Sequence, residues 1–229
     1  MKKPWIQVSI DTRDLLNARK HIAHAIAIDA EWIEVGTPLL TFVGIEAIAT
    51  VAESVENRTV VADFKALDGV EQYFTHAGRL GAGVATVMAV ANGASIEKAI
   101  EAGDRAGVAV QVDLLGVDPD SLGTRARELE EMGADYLLLH LAIDELFRNP
   151  SADPLLGLDE VVSAVRIPVG PVVFSNEQGV DAIRRGASYV VIGYPYLTMT
   201  DARERLASFA SAVRSAGDGG VVAGAPGDG

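Results

Sequence analysis

A chain of 229 residues, 49% hydrophobic and 22% charged, can bury a sizeable core in one barrel-sized domain or two small ones. A formal charge of −13 argues against a nucleic-acid partner, whose phosphates call for a basic footprint. The lack of any cysteine excludes disulfides, thiolate nucleophiles and thiolate metal sites, leaving carboxylates and histidines to hold a hard cation such as Mg²⁺.

The opening MKKPWIQVSI passes from lysines straight into a strand pattern, and no apolar run reaches the ~18 residues of a membrane span, so a cytoplasmic protein without membrane contact is expected. WIQVSI is the first strand and ends at Asp11; helical periodicity follows over 13–28, where His21 and His24 suit a solvated face. EWIEVG carries Glu34 ahead of Gly-Thr-Pro and leads into a helix over 38–54. RTVVADF brings Asp63 and Lys65 to its end, with Asp68 next, before a helix over 69–80 whose His76 also reads as solvated. GVATVMA offers only Asn92 beyond its end and is followed by helix 94–105; GVAVQVDL ends at Asp113 and is followed by helix 121–132. ADYLLLHL presents His140, the one histidine at a strand end and a candidate proton shuttle, before helix 155–165. IPVGPVVF leads to Ser175 and Asn176 and a helix over 177–185; ASYVVIG leads to Gly193 and Tyr194 and a helix over 198–214. GDGGVVAGAPGDG, 217–229, reads as a flexible Gly-rich tail beyond a domain of residues 1–216.

Eight apolar strands alternating with eight helices, at roughly 27 residues per unit, fit a single-domain (β/α)₈ TIM barrel. An open doubly wound sheet is the alternative, and the absence of GxGxxG after the first strand counts against its dinucleotide-binding form. In a barrel the chemistry gathers where strands end. A single acid there is most simply a helix cap. Here Asp11, Glu34, Asp63, Asp68 and Asp113 share the rim with Lys65 and His140, and so much charge beside an apolar barrel is costly without a ligand or metal to balance it. A period of two turns Asp63 and Lys65 to one side and Phe64 to the other.

Asp11 after IQVSI, IEVGTPL, ADFKALD as a D-x-K-x-x-D motif, VQVDLLGV and LLLHLAID together resemble the orotidine monophosphate decarboxylase suprafamily, in the branch of 3-hexulose-6-phosphate synthase and 3-keto-L-gulonate-6-phosphate decarboxylase. The resemblance implies a homodimer of barrels with shared active sites acting on a sugar phosphate. It implies Mg²⁺ held by Glu34 and Asp63, an enediolate stabilised beside Lys65, Asp68 reaching into the partner's site, Asp11 on sugar hydroxyls and His140 moving protons. Asp113 on strand five and Ile143 three residues after the histidine match the synthase pattern, that of an aldehyde-lyase joining formaldehyde to D-ribulose 5-phosphate. The alternatives are a decarboxylase of the keto-gulonate phosphate type and a barrel that binds a ligand without this turnover. The chain departs from the family at the phosphate end: Gly193 is kept, but Ser175 and Asn176 stand where the family places bare glycines and Tyr194 where it places glycine or arginine, so Asn176 and Tyr194 are expected to narrow the pocket.

Overall fold

Each apolar run forms a parallel strand in the computed structural model, which describes residues 3–218. The strands are β1 (Trp5–Ile10), β2 (Trp32–Val35), β3 (Thr59–Ala66), β4 (Val84–Met88), β5 (Ala109–Asp113), β6 (Tyr136–Leu139), β7 (Val169–Pro171) and β8 (Tyr189–Ile192). They hydrogen-bond in the order β7-β6-β5-β4-β3-β2-β1-β8. The two ends of that row meet, because Val172 bridges Val191 and Val173 N donates to Val191 O at 2.9 Å. Closure removes the sheet's edges, and the result is the expected (β/α)₈ barrel.

Among the described residues ten α-helices surround it: α1 (Leu15–Ala27), α2 (Thr37–Val43), α3 (Ala47–Ser54), α4 (Val70–Arg79), α5 (Gly93–Ala106), α6 (Leu122–Met132), α7 (Ile143–Arg148), α8 (Leu158–Ala164), α9 (Asn176–Arg184) and α10 (Ala202–Asp218). Asp14, Asn92 and Ser175 start α1, α5 and α9 by accepting from the backbone N–H three residues on, which satisfies a donor the helix itself leaves open. The continuous helix expected over 38–54 breaks in two at Gly44, whose φ of 101° no α-helix accommodates. Pro168 and Pro171 cannot donate to a ladder, so the seventh run yields only three residues of strand. The short α7 was not foreseen. Gly217 and Asp218, assigned to the tail, complete α10; the rest of the proposed tail, 219–229, lies outside the described residues. His21 and His24 are half-buried rather than solvated, and His21 Nδ1 has no hydrogen-bond partner among the described residues.

Alternate strand residues such as Ile6, Val8, Ile10, Val110 and Val112 face outward and join the helices in one continuous apolar core. The inward residues fill the barrel in layers. At its N-terminal end Trp5 stacks on Tyr189 (5.0 Å between ring centres, 10° between planes), and Trp32 meets Tyr136 edge-on at 4.8 Å. Above these rings Gln111 Nε2 donates to the Tyr189 hydroxyl (2.8 Å) and to Gln7 Oε1 (3.2 Å), and Tyr189 donates to Leu137 O (2.8 Å).

Gly170 of β7 leaves room for the Tyr189 ring, since a Cβ built there would fall onto the ring carbons. Gly170→Ala is expected to destabilise the barrel by roughly 1–3 kcal/mol through overpacking. Equilibrium unfolding in urea checks this: an unchanged midpoint would show that the ring can move aside.

Candidate active site

The C-terminal rim is where these layers become charged. Ser9 follows Gln7 on the inner face of β1, and their side chains meet Glu34 at the end of β2: Ser9 Oγ donates to Glu34 Oε1 at 2.6 Å, and Gln7 Nε2 donates to Glu34 Oε2. Asp11 stands just beyond β1. Gly36 and Gly193 make space for it, since a Cβ on Gly36 would strike the Asp11 carboxylate and one on Gly193 would meet Ser9 O at 2.7 Å.

β3 and β4 run in register at Ala62↔Ala85 and resume at Ala66↔Val87, so β3 carries two extra residues between these points. Within this bulge Lys65 takes a φ of 47°, a left-handed backbone that costs a lysine roughly 1–2 kcal/mol. The expected pairing of Asp63 with Lys65 is found, by way of the bulge rather than of regular alternation. Lys65 Nζ lies 2.9 and 2.7 Å from the two Asp63 oxygens and 3.2 Å from Asp113 Oδ2. Phe64 turns away and packs on Tyr73. Asp63 also accepts from Thr37 Oγ1 (2.7 Å) and Thr86 Oγ1 (3.0 Å).

Asp113, fully buried at the end of β5, joins the two halves of the site. Its Oδ2 takes both Lys65 Nζ and, at 2.9 Å, His140 Nδ1, while its Oδ1 accepts from Leu115 N at 2.9 Å. Burial alone would raise the Asp113 carboxyl, but His140, Lys65 and the Leu115 N–H outweigh it and bring it down to about 2. An ionised carboxylate only accepts, so Nδ1 of His140 is the donor and Nε2 is the nitrogen left to exchange protons.

Burial opposes the charge on Lys65, yet Asp63, Asp113 and Glu34 together hold it well above the ordinary lysine range. Glu34 goes the other way: burial, then the charges of Asp63 and Asp11, push its carboxyl up to about 8 against the weaker pull of Lys65 and Ser9. Asp11 is exposed at its tip and is raised by its enclosing walls and by Asp63. The cluster thus has more negative charge than Lys65 neutralises. Among the described residues no group of three or more His, Asp or Glu side chains is arranged to hold a metal by itself. The pair Glu34 and Asp63 fits Mg²⁺ nonetheless, because that ion is commonly held by one or two carboxylates with water and substrate oxygens completing its shell.

Asp68 stands apart from this cluster. It is exposed beyond β3 and lines a depression with Gln72, Asn92 and Lys98. At the phosphate end, Asn176 does not narrow the mouth: its amide donates to Ser208 Oγ (3.1 Å) and accepts from the Tyr196 hydroxyl (2.8 Å), turned toward α10. Ser175 Oγ is engaged as the cap of α9. Tyr194, beyond β8, has an exposed ring that meets Phe147 of α7 edge-on at 5.7 Å. A cleft of about 940 Å³ opens at the opposite end of the barrel beside Trp5, Trp32 and Tyr136 and touches none of the charged cluster. Sequence reading missed Thr37, Thr86, Gln7 and Gln111, although a polar residue at an inward position of an apolar strand, as in WIQVSI or VATVM, is a legible sign.

Residues 4–164 match the profile of the Orotidine 5'-phosphate decarboxylase / HUMPS family. The chain is 33% identical over 161 residues to a 3-hexulose-6-phosphate synthase of Staphylococcus epidermidis, across 70% of this chain and 74% of that protein. It is 32% identical to one of Staphylococcus aureus over the same shares. The solved 3-hexulose-6-phosphate synthase of Salmonella typhimurium superposes with a TM-score of 0.82 at 28% identity, covering 93% of this chain and 98% of that one. A 3-keto-L-gulonate-6-phosphate decarboxylase of Vibrio cholerae gives 0.76 at 21% identity, covering 95% and 98%, a likeness of fold.

Since Asp113 is held down to about 2 in the fold and ionises near 4 when unfolded, its ionisation stabilises the protein by about 2 kcal/mol at neutral pH. That stabilisation is present above pH 4 and lost as pH falls toward 2. Asp113→Asn should therefore lower stability at pH 7, with the gap to wild type closing between pH 4 and 2 in denaturant titrations. A gap independent of pH would show that the charge of Asp113 is not what matters.

Proposed function

The chain belongs to the Orotidine 5'-phosphate decarboxylase / HUMPS family, and from that premise we propose that it is a Mg²⁺-dependent aldehyde-lyase of the 3-hexulose-6-phosphate synthase type. The reaction joins formaldehyde to D-ribulose 5-phosphate. The observation that carries this reading is the Asp113 bridge, one buried carboxylate that sets a cation, Lys65 Nζ, and a proton carrier, His140, around the same space. Asp113 itself and Ile143, the features of the synthase pattern, support this branch over the decarboxylase.

His140 Nε2 takes a proton from C1 of the ketose, and the bond's electrons move to the C2 oxygen to give an enediolate. The Lys65 ammonium, fixed by three carboxylate contacts, lies where that negative charge develops and stabilises it without reorganising. C1 then attacks the carbon of formaldehyde. The new C–C bond forms, the carbonyl returns at the former C2, and the former aldehyde oxygen takes up a proton. Asp11, exposed at the rim, accepts from sugar hydroxyls. Mg²⁺, held by Glu34 and Asp63, supplies when bound a Lewis acid for the sugar oxygens and offsets the excess negative charge. The phosphate lies toward Gly193 and the first turn of α9, beneath Tyr194 and Phe147, held by backbone N–H groups. A substrate this highly charged does not cross a bilayer, which agrees with a cytoplasmic reaction.

A dimer of such barrels accounts for Asp68. Leu67, Tyr73 and Val90 are 53, 42 and 50% exposed on the segments around it, an apolar surface that a second copy would cover.

Incubation with ribulose 5-phosphate, formaldehyde and Mg²⁺ should yield a 3-hexulose 6-phosphate, detected by NMR of ¹³C-formaldehyde, and excess EDTA should abolish the signal. Turnover that persists in EDTA would remove the metal from the reading; no product with Mg²⁺ present would remove the reaction itself.

Mixing two inactive variants tests the shared site. With Asp68→Ala and Lys65→Ala subunits exchanged, one site of each mixed dimer is built wholly from wild-type groups, so about a quarter of wild-type activity should return. Continued inactivity after proven exchange would mean that each barrel works alone.

A further inference from the structure

The β3 bulge has no regular rung to β4 at Lys65; a side chain supplies it. Lys65 N donates to Thr86 Oγ1 at 2.9 Å, and the same hydroxyl donates its own hydrogen to Asp63 Oδ1 at 3.0 Å. Thr86 is 1% exposed on the inner face of β4, so no water stands in for either partner if the hydroxyl is removed. One oxygen thus both holds a lysine in a left-handed backbone and fixes the carboxylate against which that lysine's ammonium rests.

We propose that Thr86 is a positioning residue for Lys65 and Asp63, acting by closing the bulge rather than by touching substrate. Its requirement is chemical: a group that accepts from an N–H and donates to a carboxylate at one point. Serine meets it, whereas valine matches threonine in shape and meets neither half. Valine leaves the Lys65 N–H buried without an acceptor and lets the backbone relax from φ 47°, which swings Nζ away from the Asp63–Asp113 gap. Because Thr86 lies below the rim and Asp11, Gly193 and the α9 turn are untouched, substrate binding should survive while the chemical step fails.

The inference rests on the role proposed for Lys65, and two readouts separate it from that reading. In the first, Thr86→Val is expected to lower kcat for ribulose 5-phosphate and formaldehyde about 10- to 100-fold with KM within about threefold, and Thr86→Ser to restore kcat to within about threefold of wild type. In the second, which needs no turnover, the Lys65 amide should exchange with D₂O at least about tenfold faster in the valine variant than in wild type or serine. If Thr86→Val does not fold, Thr86→Ala against Thr86→Ser gives the same comparison. A wild-type protein inert toward these substrates would refute the proposed reaction, and amide exchange would still decide whether Thr86 holds the bulge. Equal Lys65 exchange in all variants, or a valine variant that loses affinity and not kcat, would overturn the proposal.

Discussion

Everything at the mouth of this barrel follows from one imbalance: the carboxylates of Glu34, Asp63 and Asp113 are buried around a single ammonium, Lys65. Burial of an unbalanced charge is among the costliest arrangements a fold can contain. The molecule divides the cost unequally. Asp113 takes two cationic or donor partners and a backbone N–H, and stays ionised far into acid. Glu34, with only a hydroxyl and an amide for company, is left close to neutrality at physiological pH. Of these buried carboxyls it is therefore the one that carries most of the unrelieved cost of burial.

The support for this arrangement extends down the barrel. Glu34 rests on Gln7, Gln7 on Gln111, and Gln111 on the Tyr189 hydroxyl, which ends on a backbone carbonyl. Such a chain holds its first member in one orientation because each link is fixed by the next. Below it Trp5 stacks on Tyr189. The inward face therefore grades from aromatic, through neutral amides, to carboxylates. The cleft beside Trp5, Trp32 and Tyr136 lies at the opposite end from the charged cluster.

Much of this was legible in the chain. Eight apolar runs and their capped helices gave the barrel, because a strand covered on both faces can hardly be written in other residues. Asp11, Glu34, Asp63, Lys65, Asp113 and His140 were visible as charges at strand ends, and they do converge. What failed did so for local reasons. Two prolines shortened β7, and Gly44 broke a helix whose apolar period runs through it. Asn176 was expected in the mouth, but its partners Tyr196 and Ser208 lie far along the chain, and nothing in a linear reading shows that they will claim it. Thr86 escaped notice because a threonine in VATVM is also an ordinary strand residue; only the slipped register reveals its use.

The edge-on pair of Phe147 and Tyr194 joins the segment after β6 to the segment after β8, and so spans the three-residue β7. That is also where the sheet closes, through the bridge of Val172 to Val191 and the bonds of Val173 N to Val191 O and Ser188 N to Val169 O. An aromatic contact made outside the sheet therefore braces it where its own strand is shortest, so side chains and ladder share the work of closing the barrel.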